Sequence, residues 1–159
     1  MKTMSDLFLH LLKDIYYAEK QILKALPKME KAAETSQLKQ ALEHHRRETE
    51  GQVERVEQVF GEIDKPACGE KCEAIMGISA EGEDVIKKGE AEVIDAGLIA
   101  AAQAVEHYEI ARYGTLIAWA EQLGLTNSVA LLKKTLEEEK AADKKLTQIA
   151  EASANRRAA

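Results

Sequence analysis

The sequence predicts an all-α protein, an antiparallel four-helix bundle with a short helical crossover between its second and third long helices. The 159 residues include only 2 Pro and 9 Gly, and helix-forming residues dominate the rest, which is the composition of long helices. Apolar residues recur every three or four positions along four stretches, as on one face of a helix. This length is enough for one sizeable core, so we expect a single domain over residues 1–159.

Turn-forming residues indicate where these helices begin and end. Four turn-forming residues lie close together and predict a break after the second helix: Gly61, Asp64, Pro66 and Gly69. Gly124 stands where a glycine ends a helix, and the turn after it is very short. We therefore expect long helices at about residues 5–34, 36–63, 90–123 and 125–152, with a short helix inside the crossover at about 64–89.

Polar side chains interrupt each of the four apolar faces near mid-length. In the first helix Glu19 takes a position that its neighbours on the same face fill with aliphatic residues. The second helix offers His45, Glu48 or its neighbour Thr49, and Gln52. The last two long helices carry further inward acids: Glu106, Glu109, Glu139 and Asp143. Helices joined by short turns are antiparallel neighbours, so we expect these side chains to meet at one depth.

Such a cluster of acids needs positive charge, because carboxylates in a core of low dielectric repel one another by several kcal/mol. His45 is the only inward cation candidate, and Arg112 is placed to reach Glu109 alone. Two divalent metal ions would resolve the conflict, as in four-helix bundles with di-iron or di-manganese carboxylate centres. Histidine, arginine and protonated carboxyls that satisfy one another without metal are the alternative.

Composition excludes other classes of function. The net charge of −6 argues against nucleic acid, which requires a basic surface. No apolar run reaches the ~18–20 uncharged residues of a membrane helix, and the first residues show no signal peptide, so we expect a cytoplasmic protein. Cys68 and Cys72 are a single pair with no histidine nearby, which is a poor zinc site, and we interpret them as reduced thiols.

Four stretches resemble the YciE/YciF family of ferritin-like, stress-associated proteins: 12–21 (LKDIYYAEKQ), 48–55 (ETEGQVER), 98–111 (LIAAAQAVEHYEIA) and 135–146 (TLEEEKAADKKL). The resemblance covers essentially the whole chain. It implies a ferritin-like bundle, a dimetal centre and a homodimer, while the activity of the family is poorly defined. The match to the wider rubrerythrin-like pattern is partial, because Gly51 and Ala142 stand where Glu-x-x-His motifs would place histidine.

The candidate metal ligands are therefore rich in oxygen and poor in imidazole: Glu19, His45, Glu48, Glu106, Glu109, Glu139 and Asp143. We expect two divalent ions per chain, Fe first, with Mn or Mg as alternatives. Two functions fit these residues. One is a stress-related protein that handles metal or oxidants, with Fe²⁺ oxidation or peroxide consumption left open. The other is a non-enzymatic structural or assembly protein whose metal site only stabilises the bundle.

Overall fold

The computed structural model describes all 159 residues, and its regular secondary structure is entirely helical. Four long helices are joined by two short turns and one crossover. The chain ends in a short π-helix, Ala150–Ala154, and a last helical turn. The helices are α1 (Met4–Ala32), α2 (Ser36–Glu62), α3 (Glu73–Lys88), α4 (Ile94–Leu123), α5 (Thr126–Ile149) and α6 (Asn155–Ala158). None of them combines the length and the hydropathy that a membrane span requires.

The four long helices form a ferritin-like bundle in the cyclic order α1, α2, α5, α4. The two antiparallel hairpins, α1–α2 and α4–α5, pack side by side, so that α1 contacts α4 and α2 contacts α5. The crossover helix α3 lies outside this ring against α4 and α1. One core of 30 buried apolar residues, mostly aliphatic, runs along the bundle, as the sequence predicts.

The bounds of two helices differ from those expected. The third long helix begins at Ile94 rather than near 90, because the chain first makes a turn in which the Glu90 carbonyl accepts from the N–H groups of Val93 and Ile94. The fourth is α-helical only to Ile149, and residues 150–154 then form π-type turns. The chain stays helical beyond the predicted end, to Ala158, since the buried Ala150 and Ala154 pack against the core.

Glycine is required at two positions, at one by the backbone conformation and at the other by a close contact between helices. Gly124 ends α4 with φ 73°, and its N–H donates to the carbonyls of Ala120 and Glu121, as a left-handed terminating glycine does. Gly97 allows α3 to approach α4 closely, because a Cβ at that position would lie 2.6 Å from Val85 Cγ1. The glycine thus fixes how near the crossover helix packs.

Asp95 links the two hairpins at one end of the bundle. It lies in the first turn of α4 and is 2% exposed, yet its carboxylate accepts from the backbone N–H groups of Glu34 (2.7 Å) and Thr35 (3.0 Å) in the α1–α2 turn. Arg157 approaches the same carboxylate to 3.7 Å. These contacts give the backbone N–H groups of the turn an acceptor, which they lack within the turn.

We expect Asp95→Ala to lower the free energy of unfolding by about 2–3 kcal/mol, because it leaves two backbone donors without an acceptor. Urea denaturation followed by circular dichroism measures the change. Asp84→Ala is the matched control, since Asp84 pairs only with Lys88 on the exposed face of α3, and it should cost less than about 0.5 kcal/mol. Equal effects of the two substitutions would contradict this role of Asp95.

Candidate metal centre

Five side chains from the four long helices meet in the middle of the bundle. Glu19 comes from α1, His45 from α2, Glu106 and Glu109 from α4, and Glu139 from α5. All five are buried, and His45 is the most exposed of them at 6%. Each sits on the apolar face of its helix between aliphatic residues, so the burial of that face carries the polar group inside.

Four of these residues form a compact donor set. Ligand atoms of His45, Glu106, Glu109 and Glu139 all lie within 4.8 Å of one another. His45 of α2 lies close to carboxylates of α4 and α5, since its Nε2 is 3.2 Å from Glu106 Oε1 and 3.8 Å from Glu139 Oε2. The imidazole therefore points at two carboxylates from different helices.

Glu19 extends the cluster on the side of α1. Its carboxylate accepts a hydrogen bond from the phenol of Tyr113, which is fully buried on α4. The charges of Glu109 and Glu139 are close enough to act on Glu19 as well. Tyr113 is not singled out in the sequence analysis, although its spacing of four residues after Glu109 places the phenol one turn along the same face.

The protein leaves most of these polar atoms without partners. Buried atoms with no hydrogen bond include both oxygens of Glu109 and of Glu139, both nitrogens of His45, and one oxygen each of Glu19 and Glu106. The short His45–Glu106 distance is thus an approach of charges and not an aligned hydrogen bond. Buried polar groups are normally paired, so this concentration of unpaired acceptors in one place makes the cluster a candidate cation site.

Burial and mutual repulsion make the acids hard to ionise when no cation is present. Desolvation, together with the charge of Glu139, raises the pKa of Glu19 to about 8. Desolvation likewise raises the pKa of Glu106 to about 7, and it raises the pKa of Glu109 and of Glu139 well above their usual range. Burial disfavours the charged form of His45, but Glu48, Glu139 and Glu19 outweigh it and raise the His45 pKa.

Two of the predicted ligands lie at the edge of this cluster. Glu48 is 22% exposed, with one oxygen 3.2 Å from His44 Nε2 and the other 3.7 Å from His45 Nδ1, and it is Thr49 that is fully buried. Asp143 is half-buried and accepts from the Gln103 amide at 2.9 Å. Neither belongs to the compact set of four residues, so their ligation stays a prediction.

Beside the centre lies an ion-pair network that the sequence pattern does not predict. Arg55 is 8% exposed and donates to Glu138 and to the Thr135 hydroxyl (2.9 Å), while the Gln52 amide also donates to Glu138. Neither Arg55 nor Glu138 is among the residues that the sequence pattern places inward. The available signal is the spacing of Arg55, which comes three residues after Gln52 and so shares its face.

The remaining cation and thiols lie outside the cluster. Arg112 does not reach Glu109 but lies over the ring of Tyr108, with Nε 3.8 Å from Asp14. Tyr108 donates to Asp14 and contacts the buried thiol of Cys72 at 3.0 Å. Both Cys68 and Cys72 are free thiols, as predicted. His45 is therefore the only basic side chain in direct contact with the carboxylates of the central cluster.

The donor set fits divalent metal. Carboxylates and one imidazole from four helices, unpaired and converging, match the chemistry that Fe²⁺ and Mn²⁺ accept, while an oxygen-rich set also admits Mg²⁺. The same layout, with inward carboxylates from facing helices, is that of the dimetal ferritin-like bundles. Fold and site thus define a ferritin-like helical bundle with a candidate metal centre.

The chain belongs to the family described as a domain of unknown function, DUF892, which matches residues 3–159. Protein YciF of Escherichia coli (strain K12) is 51% identical over 160 residues, covering 99% of this chain and 96% of that protein. The crystal structure of the E. coli stress protein YciF superposes with a TM-score of 0.94 at 50% identity, covering 98% of this chain and 99% of that one. The resemblance to the YciE/YciF family is confirmed.

Two further solved structures share the fold. YcfI from Rhodopseudomonas palustris, described as a candidate structural protein, has a TM-score of 0.89 at 52% identity and covers 92% of this chain and 94% of its own. A protein of Xanthomonas campestris pv. campestris has a TM-score of 0.79 at 20% identity, over 98% of this chain and 96% of its own. At that identity the likeness shows the fold alone.

We expect the metal-free protein to lose stability as pH rises from about 4.5 to 8. In that window the folded protein binds more protons than the unfolded chain, because Glu106 and Glu19 have pKa values raised from 4.5 to about 7 and about 8. The free energy of unfolding therefore falls with rising pH, by on the order of 3 kcal/mol from Glu106 alone. Urea denaturation in the presence of a chelator, repeated across this pH range, measures it.

A charge-neutral variant supplies the control for this pH dependence. Glu106→Gln combined with Glu139→Gln should make the pH profile shallower and stabilise the metal-free protein at pH 8, while burial of Glu19 and Glu109, which also raises their pKa values, leaves part of the slope. The matched double variant Glu121→Gln/Glu137→Gln changes exposed acids on the same two helices, which pair with Lys133 and Lys140, and should leave the profile as it is. A parent protein whose stability is level between pH 5 and 8 would refute the effect of the buried acids.

Proposed function

We propose that this protein binds two divalent metal ions per chain at the centre of its bundle, most readily iron, and takes a stress-related part in metal or oxidant handling. One observation carries the proposal. Four buried residues from three helices bring their ligand atoms within 4.8 Å of one another, and most of those atoms have no partner in the protein. Nothing in a stable core requires such an arrangement, whereas a bound cation does.

Charge balance supports two ions rather than one. Glu19, Glu106, Glu109 and Glu139 are all buried and together carry four negative charges when ionised. One divalent ion would leave two of these charges without compensation, at a cost of several kcal/mol in a low dielectric. Two divalent ions balance all four carboxylates, with neutral His45 as a nitrogen ligand.

The choice of metal follows from the donor atoms. Carboxylate oxygens suit Mg²⁺, Mn²⁺ and Fe²⁺, and the imidazole of His45 favours the first-row ions among them. With one histidine in the set, we expect weaker binding than at sites with more imidazole. Mn²⁺ and Mg²⁺ therefore stay alternatives to iron.

The protein's own residues would hold and shield such a centre. Tyr113 donates to Glu19 and so leaves the other oxygen of that carboxylate free to face the cluster. The buried aliphatic core shields the cluster from water above and below it along the bundle. Bound iron would supply redox chemistry toward O₂ or peroxide. The name of the E. coli relative, a stress protein, is consistent with oxidant handling.

A non-enzymatic role is the second candidate. The R. palustris relative has been described as a candidate structural protein, and a donor set with one imidazole favours binding over strong oxidase chemistry. In this case the ions would only neutralise the buried acids and stabilise the bundle. A homodimer and a cytoplasmic location stay predictions of the sequence, and sedimentation analysis would test the first.

We expect the purified parent protein to bind close to two Fe²⁺ per chain under anaerobic conditions, measured by elemental analysis after gel filtration. Glu106→Ala/Glu139→Ala should abolish this binding, because it removes carboxylates from two facing helices. The isosteric variant Glu106→Gln/Glu139→Gln should bind as little iron as the double alanine variant, and it keeps the side-chain volume, so that lost binding cannot be ascribed to misfolding. The control variant Glu121→Gln/Glu137→Gln should bind as much iron as the parent. Unchanged iron content in either site variant would refute the proposed centre.

Turnover separates the two candidate functions. Oxygen or peroxide consumption by the iron-loaded parent, faster than by the same concentration of free Fe²⁺ and lost in Glu106→Gln/Glu139→Gln, would establish oxidant handling. Metal binding that raises the melting temperature, without any such turnover, would establish the structural role. An oxygen electrode and a peroxide assay at neutral pH measure the first outcome, and thermal denaturation measures the second.

A further inference from the structure

A groove of about 410 Å³ reaches the candidate metal centre from the protein surface. It lies between α2 and α5, and its floor is formed by residues of α1 and α4. Exposed polar residues form its rim, among them Gln40, His44 and Lys145. Its inner wall includes His45 and Glu106, two members of the compact donor set. The buried cluster is thus connected to solvent on this side.

Small side chains keep this groove open. Alanine occupies four of its lining positions on three helices: Ala41, Ala102, Ala141 and Ala142. Larger aliphatic residues at these positions would fill the gap between the helices, as they do elsewhere in a well-packed bundle. The opening is therefore a consequence of the sequence at these positions.

Donor atoms line the way inward at steps of 3–4 Å. The exposed His44 has Nε2 3.2 Å from Glu48 Oε1, and Glu48 Oε2 lies 3.7 Å from His45 Nδ1. On the far side of the ring, His45 Nε2 lies 3.2 Å from Glu106 Oε1. Neither nitrogen of His45 has a hydrogen-bond partner, although the ring is buried. A cation that gives up its waters one at a time would find a replacement ligand at every step.

A second cavity touches the same two residues but suits a different kind of molecule. It lies under α3, holds about 40 Å³, and is lined mainly by aliphatic side chains such as Ile22, Ile78 and Val105. The walls of this cavity are mostly apolar and, apart from His45 and Glu106, offer few ligands to replace the water around a divalent ion. The polar groove is therefore the side from which a hydrated cation can approach.

We propose that the groove between α2 and α5 is the route by which divalent cations reach the centre, with His44 and Glu48 as transient ligands on the way. This inference rests on the proposed metal-binding function. It assigns to His44, which is outside the compact set, a role in the rate of loading rather than in the final affinity.

Stopped-flow loading of the metal-free protein with Co²⁺, whose visible absorption changes on coordination, tests the route. Ala142→Leu places bulk in the groove without removing a candidate ligand, and we expect at least tenfold slower loading. His44→Ala removes the first donor, and we expect severalfold slower loading. A change along the route alters the barrier to passage and leaves the free energies of the metal-free and metal-bound protein unchanged. Release of Co²⁺ to a chelator should therefore slow by the same factor, and the dissociation constant should stay the same.

Two matched controls accompany these variants. Ala130→Leu adds the same side chain at an exposed position on α5 that lines no part of the groove, and His10→Ala removes another exposed histidine that faces a glutamate, Glu70. Both should load at the parent rate. Circular dichroism and the melting temperature show whether Ala142→Leu is folded, and His44→Ala provides the test if it is not.

The outcomes separate this inference from the proposed function. Co²⁺ binding with parent rates in His44→Ala and in folded Ala142→Leu would overturn the route while leaving the metal centre in place. A parent protein that binds no Co²⁺, Fe²⁺ or Mn²⁺ at equilibrium would overturn the proposed function and this inference with it. Slower loading and release in both variants at constant affinity, with unchanged controls, would establish the route.

Discussion

The rest of this structure depends on the neutralisation of the carboxylates buried at the centre of the bundle. Each of the four long helices carries polar residues there in place of aliphatic ones, and apolar packing is interrupted between the two parts of the aliphatic core. Protons can neutralise these carboxylates, because burial raises the pKa values of Glu106 and Glu109. A cation that binds the centre only in the folded state would likewise stabilise the fold by mass action.

The helical architecture and the inward acids could be predicted because both follow from periodicity. Glu19 and Glu139 replace aliphatic residues in an otherwise regular spacing of three and four, so their burial follows from that of their faces. The choice between Glu48 and Thr49 could not be made, since adjacent positions differ by about 100° around the axis and packing sets the rotation of the helix. Arg55 was missed because a long side chain can reach inward from the edge of a face.

The two hairpins contribute unequally to the centre. The α1–α2 hairpin supplies Glu19 and the imidazole of His45, whereas α4–α5 supplies three carboxylates. Neither hairpin alone contains the complete donor set, so the centre forms only when the two dock. His45 and Glu106 also separate the polar groove from the apolar cavity under α3.

The contact of Asp95 with the α1–α2 turn has a consequence for alignment along the bundle axis. Asp95 lies roughly three turns before Glu106 on α4, and it holds the turn that leads into the helix carrying His45. A slip of one helical turn between the hairpins would move facing side chains by about 5.4 Å. That exceeds the 4.8 Å within which the four donor residues lie. A carboxylate far from the centre therefore helps to hold the register at which the four donor residues meet.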